Sequence, residues 1–429
     1  MNIARRLFLK RGGIALAAIG AGSICEPRFL ARAALAADSS GAAKPNKILV
    51  CIFQRGAVDG MSMVVPHGDP FYYQHRQDIA IPQPRRNASD ETALDLDGFF
   101  GLHPAMKPLL PLYKQEQLAF VHACGSPSES RSHFDMQDFM ESGTSDDKSV
   151  HSGWLNRMIE ERHQKAKPSP FRAVAMSSVL PRSLQGNIDA LAMRDLDSFG
   201  VKGGSGAINV AAGFEGMYES AVGDVLGGAG AESFEAISML KKADPTKYKP
   251  AKGTDYPAGP FGHAMLQVAQ LIKADVGLEI AFVEIDGWDT HANQGGAAGQ
   301  LAGRLYDFSR GLASFHKDLG DRVSDVLLLT MSEFGRAARQ NGNRGTDHGH
   351  GNCFMALGGH VAGGRVLGQW PGLSPEHLFE DRDLAVTTDY RDLFAEACVR
   401  HVGMSADSLR DVFPRHQIDA GKFRGICRA

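Results

Sequence analysis

Histidine and aspartate residues crowd into a few short, glycine-flanked segments of this chain, and their spacing suits cation binding. In Gly345-Thr346-Asp347-His348-Gly349-His350-Gly351, two histidines and an aspartate fall within four residues. The flanking glycines let the backbone turn sharply enough to aim Asp347, His348 and His350 at one or two cations. In Asp286-Gly287-Trp288-Asp289-Thr290-His291, Asp289 and His291 are two residues apart. In an extended chain they face the same way, so both can reach one metal. A third segment, Ser130-Arg131-Ser132-His133-Phe134-Asp135, precedes an amphipathic stretch running to about Met140. Ser132 there is either a plain helix N-cap or part of an anion-binding helix start. The positive end of that helix, with Arg131 and His133 as further donors, suits a phosphate or sulfate oxygen. A fourth, Arg55-Gly56-Ala57-Val58-Asp59-Gly60, offers Asp59 as another ligand or as a turn former.

These segments follow apolar runs that read as buried strands. Lys47–Phe53 (KILVCIF) is continuous and apolar, and comparable runs recur at Leu118–His122, Arg172–Met176, Leu278–Ile285 and Asp325–Met331. The intervals between them are long enough for crossover helices, which predicts parallel pairing. Leu301, Leu305, Phe308, Leu312, Phe315 and Leu319 alternate in steps of four and three, the stripe of a helix lying on a sheet. Trp154, Leu155, Met158 and Ile159 mark a second helix, and Met265, Val268, Leu271 and Ile272 a third. The expected fold is α/β, with a mostly parallel sheet and helices on both faces, and the chemistry at the carboxyl ends of the strands. Residues 195–258 are Gly-rich and then Lys/Pro-rich with little strand signal, and read as an insertion or lid within a single α/β domain spanning 47–429.

The first residues carry a different message. Arg5-Arg6-Leu7-Phe8-Leu9-Lys10-Arg11 precedes an uncharged, small or apolar stretch from Gly12 to Gly22, the pattern of a twin-arginine export leader. That stretch is shorter than the roughly 20 residues needed to span a bilayer, and Ala34-Leu35-Ala36 offers a small-x-small cleavage site. The expectation is a signal peptide over 1–36, a linker over 37–46, and a periplasmic or secreted mature chain without a membrane anchor. The translocase would be its partner during export. The whole chain has 46 Lys and Arg against 49 Asp and Glu; losing six bases and one acid with the leader leaves 40 against 48, about −8. Such a balance lacks the clustered cations that nucleic acid or anionic lipid requires. Of six cysteines, the five beyond Cys25 (Cys51, Cys124, Cys353, Cys398, Cys427) show no CxxC spacing, so no zinc–thiolate site is indicated and any disulfide is unassignable. No Gly-x-Gly-x-x-Gly follows a strand, which argues against a nucleotide-dependent redox enzyme.

The same residues carry a family resemblance. QRGAVDGMSMVVP (54–66), SRSHFDMQDFMESG (130–143), DGWDTHANQ (286–294) and SEFGRAARQNGNRGTDHGHG (332–351), behind a twin-arginine leader, resemble the bacterial family called domain of unknown function 1501. That family is similar to the alkaline phosphatase and sulfatase superfamily, whose members use a parallel α/β sheet and typically two metals to cleave phosphate or sulfate esters. The resemblance implies one or two divalent ions (zinc, calcium, magnesium or manganese) held by Asp59, Asp289, His291, Asp347, His348 and His350. It implies Ser132 as nucleophile, with Arg131 and His133 beside it, acting on a small-molecule or polymer ester. Two departures stand out: Asp289 and His291 are closer in sequence than the superfamily's usual pair, and several serines surround Ser132. Cys124-Gly-Ser-Pro-Ser also misses the sulfatase Cys-x-Pro-x-Arg signature, because Pro127 is one place late. The alternative is a binding or assembly protein that keeps the fold without catalysis.

Overall fold

A computed structural model of the chain describes residues 47–85, 91–162, 169–196 and 248–428. The expected leader (1–36) and linker (37–46), and residues 197–247 of the expected insertion, lie outside the described residues.

The elements that build the site are, in chain order, β1 (Ile48–Gln54), β2 (Leu118–Gly125), α1 (His133–Ser142), α2 (Trp154–Arg162), β3 (Ala173–Ala175), β4 (Leu191–Ala192), α3 (Pro260–Ala274), β5 (Ile280–Ile285), α4 (Gln300–Leu319), β6 (Val326–Met331), β7 (Arg336–Gln340), β8 (Thr346–His348), β9 (Asn352–Gly358), β10 (Arg365–Leu367), β11 (Thr388–Asp389) and α5 (Tyr390–Ala397). Among the described residues, nine strands form the main sheet in the order β10-β2-β9-β6-β1-β5-β3-β4, with β11 also paired to β2.

The five strands expected from apolar runs are all present. β1 lies between β5 and β6, parallel to both, and β3 continues the parallel set beyond β5. One strand departs from the expectation. β9 inserts antiparallel between β6 and β2, so β2 runs in the common direction without touching another strand of the parallel core. The Asn352–Gly358 run is apolar enough to be buried in mid-sheet, but nothing in its composition gives its direction.

Strand periodicity divides the core in two. Ile48, Val50 and Ile52 point to the face covered by α3 and α4, while Leu49, Cys51 and Phe53 point to the face covered by α2 and α5. The six-residue stripe of α4 is buried as its spacing predicts, each side chain worth about 1.5–3 kcal/mol against exposure. On α4, Asp318 also ties down the described end of the expected insertion. Its carboxylate accepts from the Tyr248 and Tyr256 hydroxyls (2.6 and 3.0 Å) and from the Ala251 N–H (2.8 Å).

Among the described residues, all five cysteines are buried free thiols. Burial pushes the thiol of Cys124 well above its ordinary range, which removes it as a nucleophile. No described helix is long and apolar enough to cross a membrane.

Candidate metal centre

The carboxyl ends of β1, β5 and β6 deliver Arg55–Asp59, Asp286–His291 and Ser332–Glu333 to one edge of the sheet. The loop after β2 adds Ser126–Ser132 and the start of α1. Ser132 is the N-cap of α1, and Gly143, in the left-handed region at φ 69°, ends it. The β7–β8 hairpin then brings His348 over this edge, pairing Arg336 with His348. Two loops meet closely here: a Cβ on Gly345 would run into the backbone of Thr290 and His291.

Three imidazoles and one carboxylate converge. His348 Nε2 lies 3.0 Å from His133 Nε2 and 3.0 Å from His291 Nε2. Asp289 Oδ1 is 2.9 Å from His291 Nε2 and 3.4 Å from His348 Nε2, while its Oδ2 is 3.6 Å from His133 Nε2. His133, Asp289 and His348 together offer ligand atoms within 4.8 Å of one another. The cluster is reachable from solvent, with side-chain exposures of 25% for His133 and His348, 42% for Asp289 and 44% for His291.

The other ring nitrogens decide what this convergence means. His133 Nδ1 donates to Glu333 Oε1 (2.8 Å), His291 Nδ1 to Asp347 Oδ1 (3.2 Å) and His348 Nδ1 to the Arg131 carbonyl (3.0 Å). Carboxylates and carbonyls accept only, so these partners assign the proton of each neutral ring to Nδ1. Each Nε2 then presents a lone pair to its neighbour, and lone pairs 3.0 Å apart repel unless a cation lies between them. Histidine with its far nitrogen held by a carboxylate or carbonyl is the usual arrangement behind a metal. The residues present therefore fit a metal ion.

Electrostatics agree. Burial favours the neutral form of Asp289, but Arg336, 2.5 Å from Oδ1, and His291 outweigh it and hold the carboxyl below its usual range. Burial likewise opposes ionisation of Glu333, and hydrogen bonds from His133, Gln137 and the Gly56 N–H overcome it. The Glu333 hydrogen bond raises the pKa of His133, whereas burial and the neighbouring His133 lower that of His348. Asp347 is held low by Asn341 first, and then by His291.

The expected residues are thus partly gathered. Asp289, His291 and His348 come together, and His133, expected beside a nucleophile, joins them as a fourth candidate ligand. Asp347 stands behind His291. His350 is not brought to the cluster: it is buried, stacked on Phe379 with centroids 4.4 Å apart, and burial drops its pKa to about 4. Asp59 is not brought there either. Its Oδ2 accepts from Arg76 Nη1 (2.5 Å), Ser62 Oγ (2.7 Å) and Gln294 Nε2 (2.7 Å) in a fully buried pair. The Arg131 guanidinium turns to Asp383 (2.7 Å) and Glu380 (2.5 Å). Ser132 Oγ reaches the Asp135 N–H only at 3.5 Å, a long cap that leaves the hydroxyl weakly committed. Sequence reasoning missed Glu333 and Arg336; both lie in the SEFGR run directly after β6, where an acid and a base look like turn residues.

A family model described as a protein of unknown function (DUF1501) matches residues 46–413. Among solved structures, the chain is similar to Ps i-CgsB, crystallised in complex with k-i-k-neocarrahexaose, at 10% identity and TM-score 0.33, covering 76% of this chain and 68% of that one. It is also similar to the PsFucS1 sulfatase from Pseudoalteromonas sp., at 11% identity and TM-score 0.36, covering 80% of this chain and 68% of that one. No curated protein matches it.

Proposed function

From a chain that belongs to the DUF1501 family of proteins of unknown function, and from its ring of imidazoles, we propose an exported, metal-dependent hydrolase of phosphate or sulfate esters. The observation that carries this reading is the convergence of three Nε2 lone pairs on the Asp289 carboxylate, each ring fixed from behind. His133, His291, His348 and Asp289 would hold the ion. A bound divalent ion lowers the pKa of a nearby oxygen nucleophile and offsets charge on the ester oxygens. The protein's own residues do the positioning. Glu333 and Asp347 fix two of the rings, and Arg336 holds Asp289 in place. Ser132, next to His133 at the positive end of α1, supplies the attacking hydroxyl, and that helix end favours the anionic group being transferred.

The test is turnover of aryl phosphate and aryl sulfate esters by wild-type protein, His348→Ala and Ser132→Ala, with metal content measured alongside. We expect one ester class to be cleaved by the wild type and by neither variant, with metal retained in Ser132→Ala. Full activity in Ser132→Ala would move the attack to water and leave the hydrolase reading standing. Failure of metal-loaded wild type to cleave either class would contradict it.

The second reading, a binding or assembly protein on the same fold, has one observation in its favour: Arg131, the expected clamp for the anion, is engaged by Asp383 and Glu380.

A further inference from the structure

The superfamily that the chain resembles typically uses two metals, and an aspartate after the first strand usually serves one of them. In this chain the corresponding aspartate is already neutralised. Asp59 is fully buried against the Arg76 guanidinium, and Arg76 is itself fully buried, donating also to the carbonyls of Ala337 and Ala338 (both 3.0 Å). An arginine cannot lose its proton at any pH a protein survives. A fixed positive charge therefore sits on Asp59 Oδ2 and repels a second cation there, although the buried Oδ1 has no hydrogen-bond partner among the described residues.

The other carboxylates near the imidazoles are largely engaged by hydrogen bonds. Glu333 Oε1 accepts from Gly56 N, His133 and Gln137, and its Oε2 from Ser332 Oγ (3.1 Å). Asp347 Oδ1 accepts from His291 and from Asn341 Nδ2 (2.9 Å). Asp289 alone is left as an oxygen ligand facing the three Nε2 atoms, and Arg336 shares its Oδ1. Calcium takes about six to eight oxygens and magnesium about six, most of them oxygens of carboxylate, carbonyl or water. Imidazole nitrogen suits borderline transition ions such as zinc.

We infer that this centre takes a single borderline transition ion, zinc in class, on His133, His291, His348 and Asp289, with the Arg76 guanidinium standing in for a second cation at Asp59. The inference rests on the reading of the cluster as a metal centre, and narrows it in both number and kind of ion.

The full chain, stripped of metal with a chelator, would be titrated with Zn2+, Ca2+ and Mg2+ separately by calorimetry, and with Co2+ by visible absorption. The expected result is one equivalent of Zn2+, not displaced by about a hundredfold excess of Ca2+ or Mg2+, and a Co2+ absorption band that one equivalent of Zn2+ abolishes. Glu333→Gln, which keeps the size of the side chain but weakens the support behind His133, should reduce Zn2+ affinity about tenfold or more. Two equivalents of Zn2+, or displacement by Ca2+, would overturn the inference and leave a metal centre in place. Binding of no ion by a chain whose circular dichroism matches the untreated protein would overturn both.

Discussion

At the scale of single residues, Glu333 supports both the candidate centre, from behind His133, and the fold. Removing its carboxylate by Glu333→Ala leaves the Gly56 N–H, the Gln137 amide and His133 Nδ1 without their acceptor. We expect roughly 10–100-fold weaker metal binding and a loss of about 1–3 kcal/mol in unfolding free energy, read by calorimetry and by chemical denaturation. Arg76→Met behaves differently, because it strands the buried Asp59 carboxylate without its counter-charge. The expected cost is about 3–5 kcal/mol of stability, seen as a lower midpoint in urea. A variant as stable as wild type would show that Asp59 is not carrying a buried charge. The two residues also show what a sequence can and cannot disclose. Asp289, His291 and His348 are legible as ligands because histidines and acids cluster beside glycines after apolar runs, whereas His133 reads only as an anion donor beside Ser132. Arg76 is 17 positions from Asp59, in a segment with no chemical signature, and only the folded chain reveals their pairing.

At the scale of elements, the strand ends were legible and their pairing was less so. Continuous apolar runs give β1, β5 and β6 because both faces of these strands are covered, and the loops after them carry the polar residues. The antiparallel β9 was not foreseen, since direction is set by connection and not by composition. It begins at Asn352, directly after the His348–Gly351 turn, so its reversed course is what returns that turn to the end of the sheet where β1 and β5 finish. Loop apposition makes a sharp test. Gly345→Ala places a methyl against the Thr290 and His291 backbone, forcing the two site loops apart. Metal affinity should fall by an order of magnitude or more, while far-ultraviolet circular dichroism stays unchanged; undiminished affinity would mean that this contact does not set the site.

At the scale of the whole molecule, three buried histidines that are not part of the cluster couple folding to pH. Burial drops the pKa values of His103, His122 and His401 to about 4. Each donates through Nε2 to a backbone carbonyl, of Gly296, Val64 and Ile48 respectively. Unfolding returns them to about 6.5, so between these values the unfolded chain binds more protons than the folded one. The contribution of these rings to stability is therefore fully present above about pH 6.5 and is lost as the pH drops toward 4, on the order of 3 kcal/mol per histidine. Thermal unfolding should show a midpoint that declines steadily across that window, and a flat profile there would contradict neutral burial of these rings.

The central claim is that three imidazoles and Asp289 hold a metal ion. The most direct check is elemental mass spectrometry on protein purified without a histidine tag, comparing wild type with a His133→Ala, His348→Ala double variant. About one equivalent of a transition ion is expected in the wild type, and none in a double variant that remains folded by circular dichroism. No metal in the wild type, or the same amount in both proteins, would contradict it.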